Sequence, residues 1–273
     1  MSRRSPLPSR PFIATSVKLG LSAVLLGLSA APALGNGRSL TYTYESATLP
    51  AGARELELWT TARLGRDAEG FRRYDQRIEI ESGLTDRLMG AFYINAETQR
   101  TAAAGSVSAL TGISLEFKYR HLDAAADALG LASYLELSNG PDESELEAKL
   151  ILDKDMDGWL WALNLVVEEE VEDLGGENEL EHGFGLVFGS AFELGEHAAL
   201  GLEVRGTGVV AEGELESFAV YAGPTLSLKQ KAGWLALTVA PQIGAFGTPA
   251  GGFGRDLEHN EKVQARLLVG YDF

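Results

Sequence analysis

The sequence contains no cysteine, which removes disulfides, thiolate metal sites and a cysteine nucleophile from consideration. Beyond residue 35 it also lacks any run of the roughly 20 apolar residues that a spanning helix needs. Any insertion into a membrane must therefore use strands, whose backbone groups satisfy one another only in a closed wall. Basic charge is scarce as well: 23 Lys and Arg stand against 39 Asp and Glu, a formal charge of −16. A chain of that sign lacks the electrostatic footprint that nucleic acid requires.

The first 35 residues read as a targeting segment. Arg3, Arg4, Arg10 and Lys18 precede an apolar run from Leu19 to Leu28, and small residues follow. This is the pattern of a Sec-type signal peptide, with cleavage after Ala33 or after Gly35. The pair Arg3-Arg4 also fits twin-arginine export, but a barrel crosses the inner membrane unfolded, which favours Sec. Removing the segment takes four basic and no acidic residues, so the formal charge of the remainder becomes −20.

What is present is a two-residue period. At the C-terminus Val263, Ala265, Leu267, Val269, Tyr271 and Phe273 alternate with Gln264, Arg266, Leu268, Gly270 and Asp272. Successive side chains of a strand point to opposite faces, so this segment offers one face to lipid and the other to a lumen. The same alternation predicts strands at 54–64, 73–83, 88–97, 110–121, 129–138, 144–153, 158–170, 180–192, 198–210, 216–228, 233–244 and 261–273. Twelve is an even number, as expected if both termini lie in the periplasm. Short turns at 84–87, 195–197 and 229–232 alternate with longer connections at 98–109, 171–179 and 245–260, which are expected outside. The expected architecture is thus all-β: one transmembrane antiparallel barrel over residues 53–273, preceded at 36–52 by a periplasmic lead-in or short extra strand. A soluble periplasmic β-sandwich is the rival fold. Trp59, Tyr74, Tyr93, Tyr119, Trp159, Trp161, Trp234 and Tyr271 are expected as aromatic girdles at the two interfaces.

Three pieces carry a family resemblance: YTYESATLPAGARELELWTTAR at 42–63, RIEIESGLTDRLMGAFYIN at 77–95, and the terminal LLVGYDF. They resemble a group of uncharacterised proteobacterial outer-membrane proteins, similar in turn to a wider class of barrels regarded as solute channels. The terminal strand, with Val269, Tyr271 and Phe273, is similar to the signal read by the outer-membrane assembly machinery. The resemblance implies an outer-membrane barrel in a Gram-negative bacterium. Its partners would be lipid, lipopolysaccharide, periplasmic chaperones and that machinery. It transfers no catalytic residue, and oligomeric state stays open.

If the apolar faces meet lipid, the lumen receives Arg77, Glu79, Glu81, Glu116, Lys118, Arg120, Glu147, Lys149, Glu203, Arg205 and Arg266, together with Glu55, Glu57, Arg63 and Glu136. Mixed charges of this kind line a selective passage or close a narrow barrel with ion pairs; excess carboxylate tilts a pore toward cations. A passive channel or solute transporter is the leading expectation. A closed structural or surface-binding barrel comes second and a lipid-modifying enzyme third. The enzyme reading needs a serine with a histidine base. Of His121, His182, His197 and His259, none is followed two residues later by serine, and Ser138-Asn139-Gly140 lacks a histidine. Asp153-Lys154-Asp155-Met156-Asp157-Gly158 matches the first half of a calcium loop, but position twelve is Asn164, and Asp157-Gly158 is a hairpin signal. The acidic stretches 168–173, 177–181 and 256–261 read as solvated faces. No catalytic, cofactor or metal residue is assigned.

Overall fold

The computed structural model describes residues 37–141, 143–173, 178–211, 213–246 and 254–273. The expected signal segment lies outside the described residues. Twelve strands form one closed antiparallel barrel, in which each strand pairs with its chain neighbours and β1 closes on β12. They are β1 (Arg54–Leu64), β2 (Arg72–Gly83), β3 (Leu88–Thr101), β4 (Gly105–Leu122), β5 (Gly130–Asn139), β6 (Glu143–Met156), β7 (Trp159–Asp173), β8 (Asn178–Glu193), β9 (Ala198–Ala211), β10 (Glu214–Gln230), β11 (Gly233–Phe246) and β12 (Val263–Asp272). Closure runs from Glu55 opposite Asp272 to Leu64 opposite Val263.

The alternation in the sequence is the alternation of faces. An outward row crosses the ladder from Leu56 through Ile80, Phe92, Leu115 and Leu137 to Leu146. Leu58, Ile78 and Val269 are exposed on the same side. A soluble sheet would bury such a row, whereas lipid solvates it. The inward side holds the buried groups, including Glu57, Glu79, Glu116, Lys118 and Glu203.

The two ends of the barrel differ. At one, called here the turn end, the connections are 84–87, 123–129, 157–158, 194–197 and 231–232, and the Phe273 N–H donates to the Arg54 carbonyl at 3.1 Å. One of these turns is the calcium-loop look-alike: Asp157 and Gly158 have φ of 56° and 83°, the positive pair a tight two-residue hairpin requires. At the other, the hairpin end, several strands run past the expected boundaries. The expected connection 98–109 shrinks to residues 102–104, because β3 and β4 continue pairing as far as Thr101 opposite Gly105. Similarly, β7 and β8 pair up to Asp173 opposite Asn178. Beyond the lipid both faces of a hairpin meet water, so the ladder persists where the apolar alternation stops.

Candidate functional site

The segment of residues 37–49, before β1, forms no strand. It lies inside the barrel, where Arg38 to Tyr44 are all buried. It reaches in from the turn end, where Lys229 Nζ donates to Ser39 Oγ at 3.1 Å, and returns there through Pro50 and Gly52, whose N–H meets the Gly83 carbonyl at 2.8 Å. Of the two expectations for residues 36–52, a periplasmic lead-in or a short extra strand, the strand does not form: backbone groups of the segment bond to side chains of the wall.

Glu203 on β9 is the main anchor. Its Oε1 accepts the N–H groups of Tyr42 at 2.8 Å and Thr43 at 2.7 Å, and Oε2 accepts that of Thr41 at 3.1 Å. The hydroxyls of Thr41, Thr43, Thr225 and Thr238 complete the shell. Successive N–H groups converging on an anion form a backbone nest, here closed around an internal carboxylate. Asn164 on β7 accepts the Tyr44 N–H at 2.6 Å and donates to the Tyr44 carbonyl at 2.9 Å. Asp153 on β6 accepts the Ser46 N–H at 3.2 Å. Gly189 on β8 supplies space, since a Cβ there would lie 2.5 Å from Leu40 Cδ1 and 2.7 Å from Thr43 Oγ1.

Rings and cations fasten the tip. Arg205 and Arg266 stand over the Tyr42 ring at 4.3 and 4.1 Å from its centroid. Arg38 and Lys149 stand over Tyr44 at 4.1 and 4.4 Å. Tyr44 also packs edge-on against Tyr134, with centroids 5.1 Å apart. Arg205 and Arg266 hydrogen-bond to Gln264 and Thr61, and among the described residues neither is paired with a carboxylate.

The segment divides the lumen. On the hairpin side lies a cavity of about 640 Å³ whose floor includes Tyr42, Tyr44 and Trp59 and whose walls include Arg63, Arg205 and Arg266. On the turn side, a cavity of about 230 Å³ is lined by Ser39, Glu45, Arg120 and Lys229. The two have no lining residue in common.

Of the eleven sequence-selected residues, Glu79, Glu81, Glu116, Lys118 and Glu203 are buried and Arg77, Arg120, Glu147, Lys149, Arg205 and Arg266 half-buried, and the ladder aligns several of them. Glu55, Glu81, Glu116, Glu136, Glu147 and Glu168 form one cross-strand row over β1 to β7, interrupted only at Ala91. Directly opposed like charges destabilise a sheet, so compensation is needed. Part of it comes from Arg77 on Glu136 at 3.2 Å and Lys149 on Glu147 at 2.5 Å. Val269, Tyr271 and Phe273 lie on the exposed outer face.

The girdle expectation needs a correction. Tyr119, Trp159 and Tyr271 are exposed on the outside, but Trp59, Tyr93 and Trp234 are buried inside. Trp59 shares the parity of Glu55 and Glu57, a signal that already marks it as inward. Sequence spacing also misses a His and Ser on neighbouring strands: His121 Nε2 lies 2.7 Å from Ser133 Oγ, both exposed. Among the described residues no carboxylate bonds to the other ring nitrogen, so the pair lacks the orienting third group of a hydrolase.

At the hairpin end Glu261, just before β12, ties the final connection to the wall. Arg66 Nη2 lies 2.5 Å from its Oε1, Arg63 Nη1 lies 3.6 Å from its Oε2, and Gln264 donates to it at 2.8 Å. Burial alone would raise the Glu261 carboxyl, but Arg63 and Arg66 outweigh it and hold the group below its ordinary value. Asp256 is likewise held low: burial opposes, while the N–H of His259 and the Asn260 amide prevail.

Residues 33–273 match the model of a family of unknown function, DUF6662. The chain belongs to that family. No curated protein matches it in sequence. In structure this family member is similar to the COG4313 outer membrane channel from Pseudomonas putida F1, with a TM-score of 0.60 and 13% identity over 84% of this chain and 98% of that one. It is also similar to the NanC porin, with a TM-score of 0.54 and 9% identity over 80% of this chain and 98% of that one. The barrel is thus an architecture shared with outer-membrane channels.

Proposed function

We propose that the protein is a channel or solute transporter of the Gram-negative outer membrane, gated by its own N-terminal segment. The observation that carries this reading is the charged cavity floored by Tyr42 and Tyr44. The floor is held by side-chain hydrogen bonds and cation–π contacts, and it can leave without breaking any strand pairing. The exposed outer rows, the leader-like first 35 residues and the terminal Tyr271 and Phe273 support outer-membrane residence, with both termini periplasmic and the assembly machinery as partner. Lipid and lipopolysaccharide would surround the wall.

The glutamate row on β1 to β7 gives one side of the lumen a negative field, while Arg63, Arg205 and Arg266 gather around Tyr42. In such a passage Arg77, Glu79, Glu81, Glu116, Lys118, Arg120, Glu147, Lys149, Glu203, Arg205 and Arg266 select small polar solutes, and the further carboxylates Glu55, Glu57, Glu136 and Glu168 tilt the balance toward cations.

Planar-bilayer conductance of the folded protein, compared with a variant lacking residues 37–48, tests this. Rare openings that become a steady conductance on deletion support a gated channel. Absence of conductance from both proteins sinks the reading. It would favour a closed barrel, to which the density of bonds on Glu203 lends the most weight.

A further inference from the structure

The wall of β1, β2 and β4 carries a knot of carboxylates that the channel reading counts only as part of the lumen's negative field. Glu55 faces Glu81 across the ladder, Glu57 faces Glu79, and Glu116 lies beyond Ala91 of β3. All five are buried. One oxygen from each of Glu79, Glu81 and Glu116 lies within 4.8 Å of the other two, and Glu55, Glu57 and Glu81 meet the same condition.

Their partners are too few. Glu55 takes the Trp234 indole N–H, and Glu57 takes that of Trp59 at 2.5 Å. Glu79 and Glu116, each only 1% exposed, have no hydrogen-bond donor on either oxygen. The cations acting on the group are Arg38 of the lumen segment, Arg77 of β2, Lys118 of β4 and Lys149 of β6. Arg77 is engaged with Glu136. Lys149 is likewise engaged with Glu147, so five carboxylates share Arg38 and Lys118 in a region shielded from water. A buried charge without a partner is strongly unfavourable, and directly opposed like charges add to the cost.

We propose that Glu79, Glu81 and Glu116 bind a divalent cation, with Glu55 and Glu57 as a supporting acidic ring joined through Glu81. The donor set is all carboxylate oxygen, two groups from β2 and one from β4, chemistry that suits a hard ion. Calcium fits best, because it accepts six to eight oxygens in flexible geometry and takes carboxylates in one- or two-oxygen modes.

Manganese serves as the probe. Full-length folded protein is stripped with EDTA and titrated with Mn2+, free ion is followed by electron paramagnetic resonance, and crystals soaked in Mn2+ give the anomalous map. The expected result is one Mn2+ per barrel, an anomalous peak among Glu79, Glu81 and Glu116, and displacement by Ca2+. Glu79→Gln with Glu116→Gln should weaken binding at least tenfold, whereas Glu145→Gln, in the separate acidic group with Glu168 and Glu170, should leave it unchanged. No bound Mn2+, or a peak at Glu145 instead, overturns the proposal. Should the double variant fail to fold, the wild-type anomalous map still decides. None of these readouts depends on conductance, so the site and the channel reading stand or fall separately.

Discussion

Replacing Glu203 with leucine should free the N-terminal segment from the lumen. In the wild type this carboxylate takes three successive backbone N–H groups, from Thr41, Tyr42 and Thr43. Leucine fills much of the same space and accepts nothing, so the three donors are left inside the barrel without partners. Each buried, unsatisfied donor costs about 1–3 kcal/mol, which puts the inserted state at a disadvantage of roughly 3–9 kcal/mol. Relief from burying the carboxylate works in the opposite direction, so the lower end is the safer figure. At about 1.4 kcal/mol per factor of ten, 3 kcal/mol still raises the ratio of withdrawn to inserted segment about a hundredfold. The strand ladder is untouched, and heat-modifiable gel mobility should report a folded barrel. Single-channel recording of Glu203→Leu should then show open probability rising by about two orders of magnitude, or to saturation. A folded variant with wild-type conductance and wild-type protease resistance at residues 37–48 would refute the reasoning.

Other outcomes follow from the same geometry. Gly189→Phe places a ring where a Cβ already falls 2.5 Å from Leu40 Cδ1 and 2.7 Å from Thr43 Oγ1; the segment should be expelled, and its protease sensitivity should rise at least tenfold. Changing Arg205 and Arg266 together to glutamine removes the positive group around Tyr42. Reversal potentials under a salt gradient should move further toward cation selectivity, and an unchanged potential would remove these residues from the selecting surface. Glu261 provides a pH signature. Its carboxyl is held below the ordinary 4.5, so its contribution is complete above that value and is lost as pH falls through the depressed folded value. Hydrogen exchange over residues 254–262 should therefore accelerate on the acid side only in protein carrying Glu261, and Glu261→Gln should be fast at every pH.

Much of the wall was legible from alternation alone. The bounds of β1 agree at Arg54 and Leu64, because hydrocarbon demands an apolar residue at every second position and the lumen admits Glu55 and Glu57 between them. The extensions of β3 and β4 were not, since Thr98 and Ser108 share a hydrogen bond in a hairpin whose two faces carry polar and small residues. The parity of Trp59 is readable as well, since it shares the phase of the inward Glu55 and Glu57. Charged lumen positions were found for the same reason as the wall. Their division of labour was not: Glu203, Asn164 and Asp153 look like ordinary inward polar residues until the segment that they hold is in place. Nothing in the two-residue alternation of Leu40 to Ser46 distinguishes a strand from the bent segment that it forms, whose N–H groups meet side chains.

The direct test of gating is a reversible lock. The chain has no cysteine, so Thr43→Cys with Gly189→Cys introduces a single possible cross-link where the two positions nearly touch. Conductance of one preparation is recorded oxidised, then after reduction in the same bilayer. If the segment is the gate, the oxidised barrel stays shut and openings return on reduction. Equal conductance in both states, with the cross-link verified by mass spectrometry, would contradict the account.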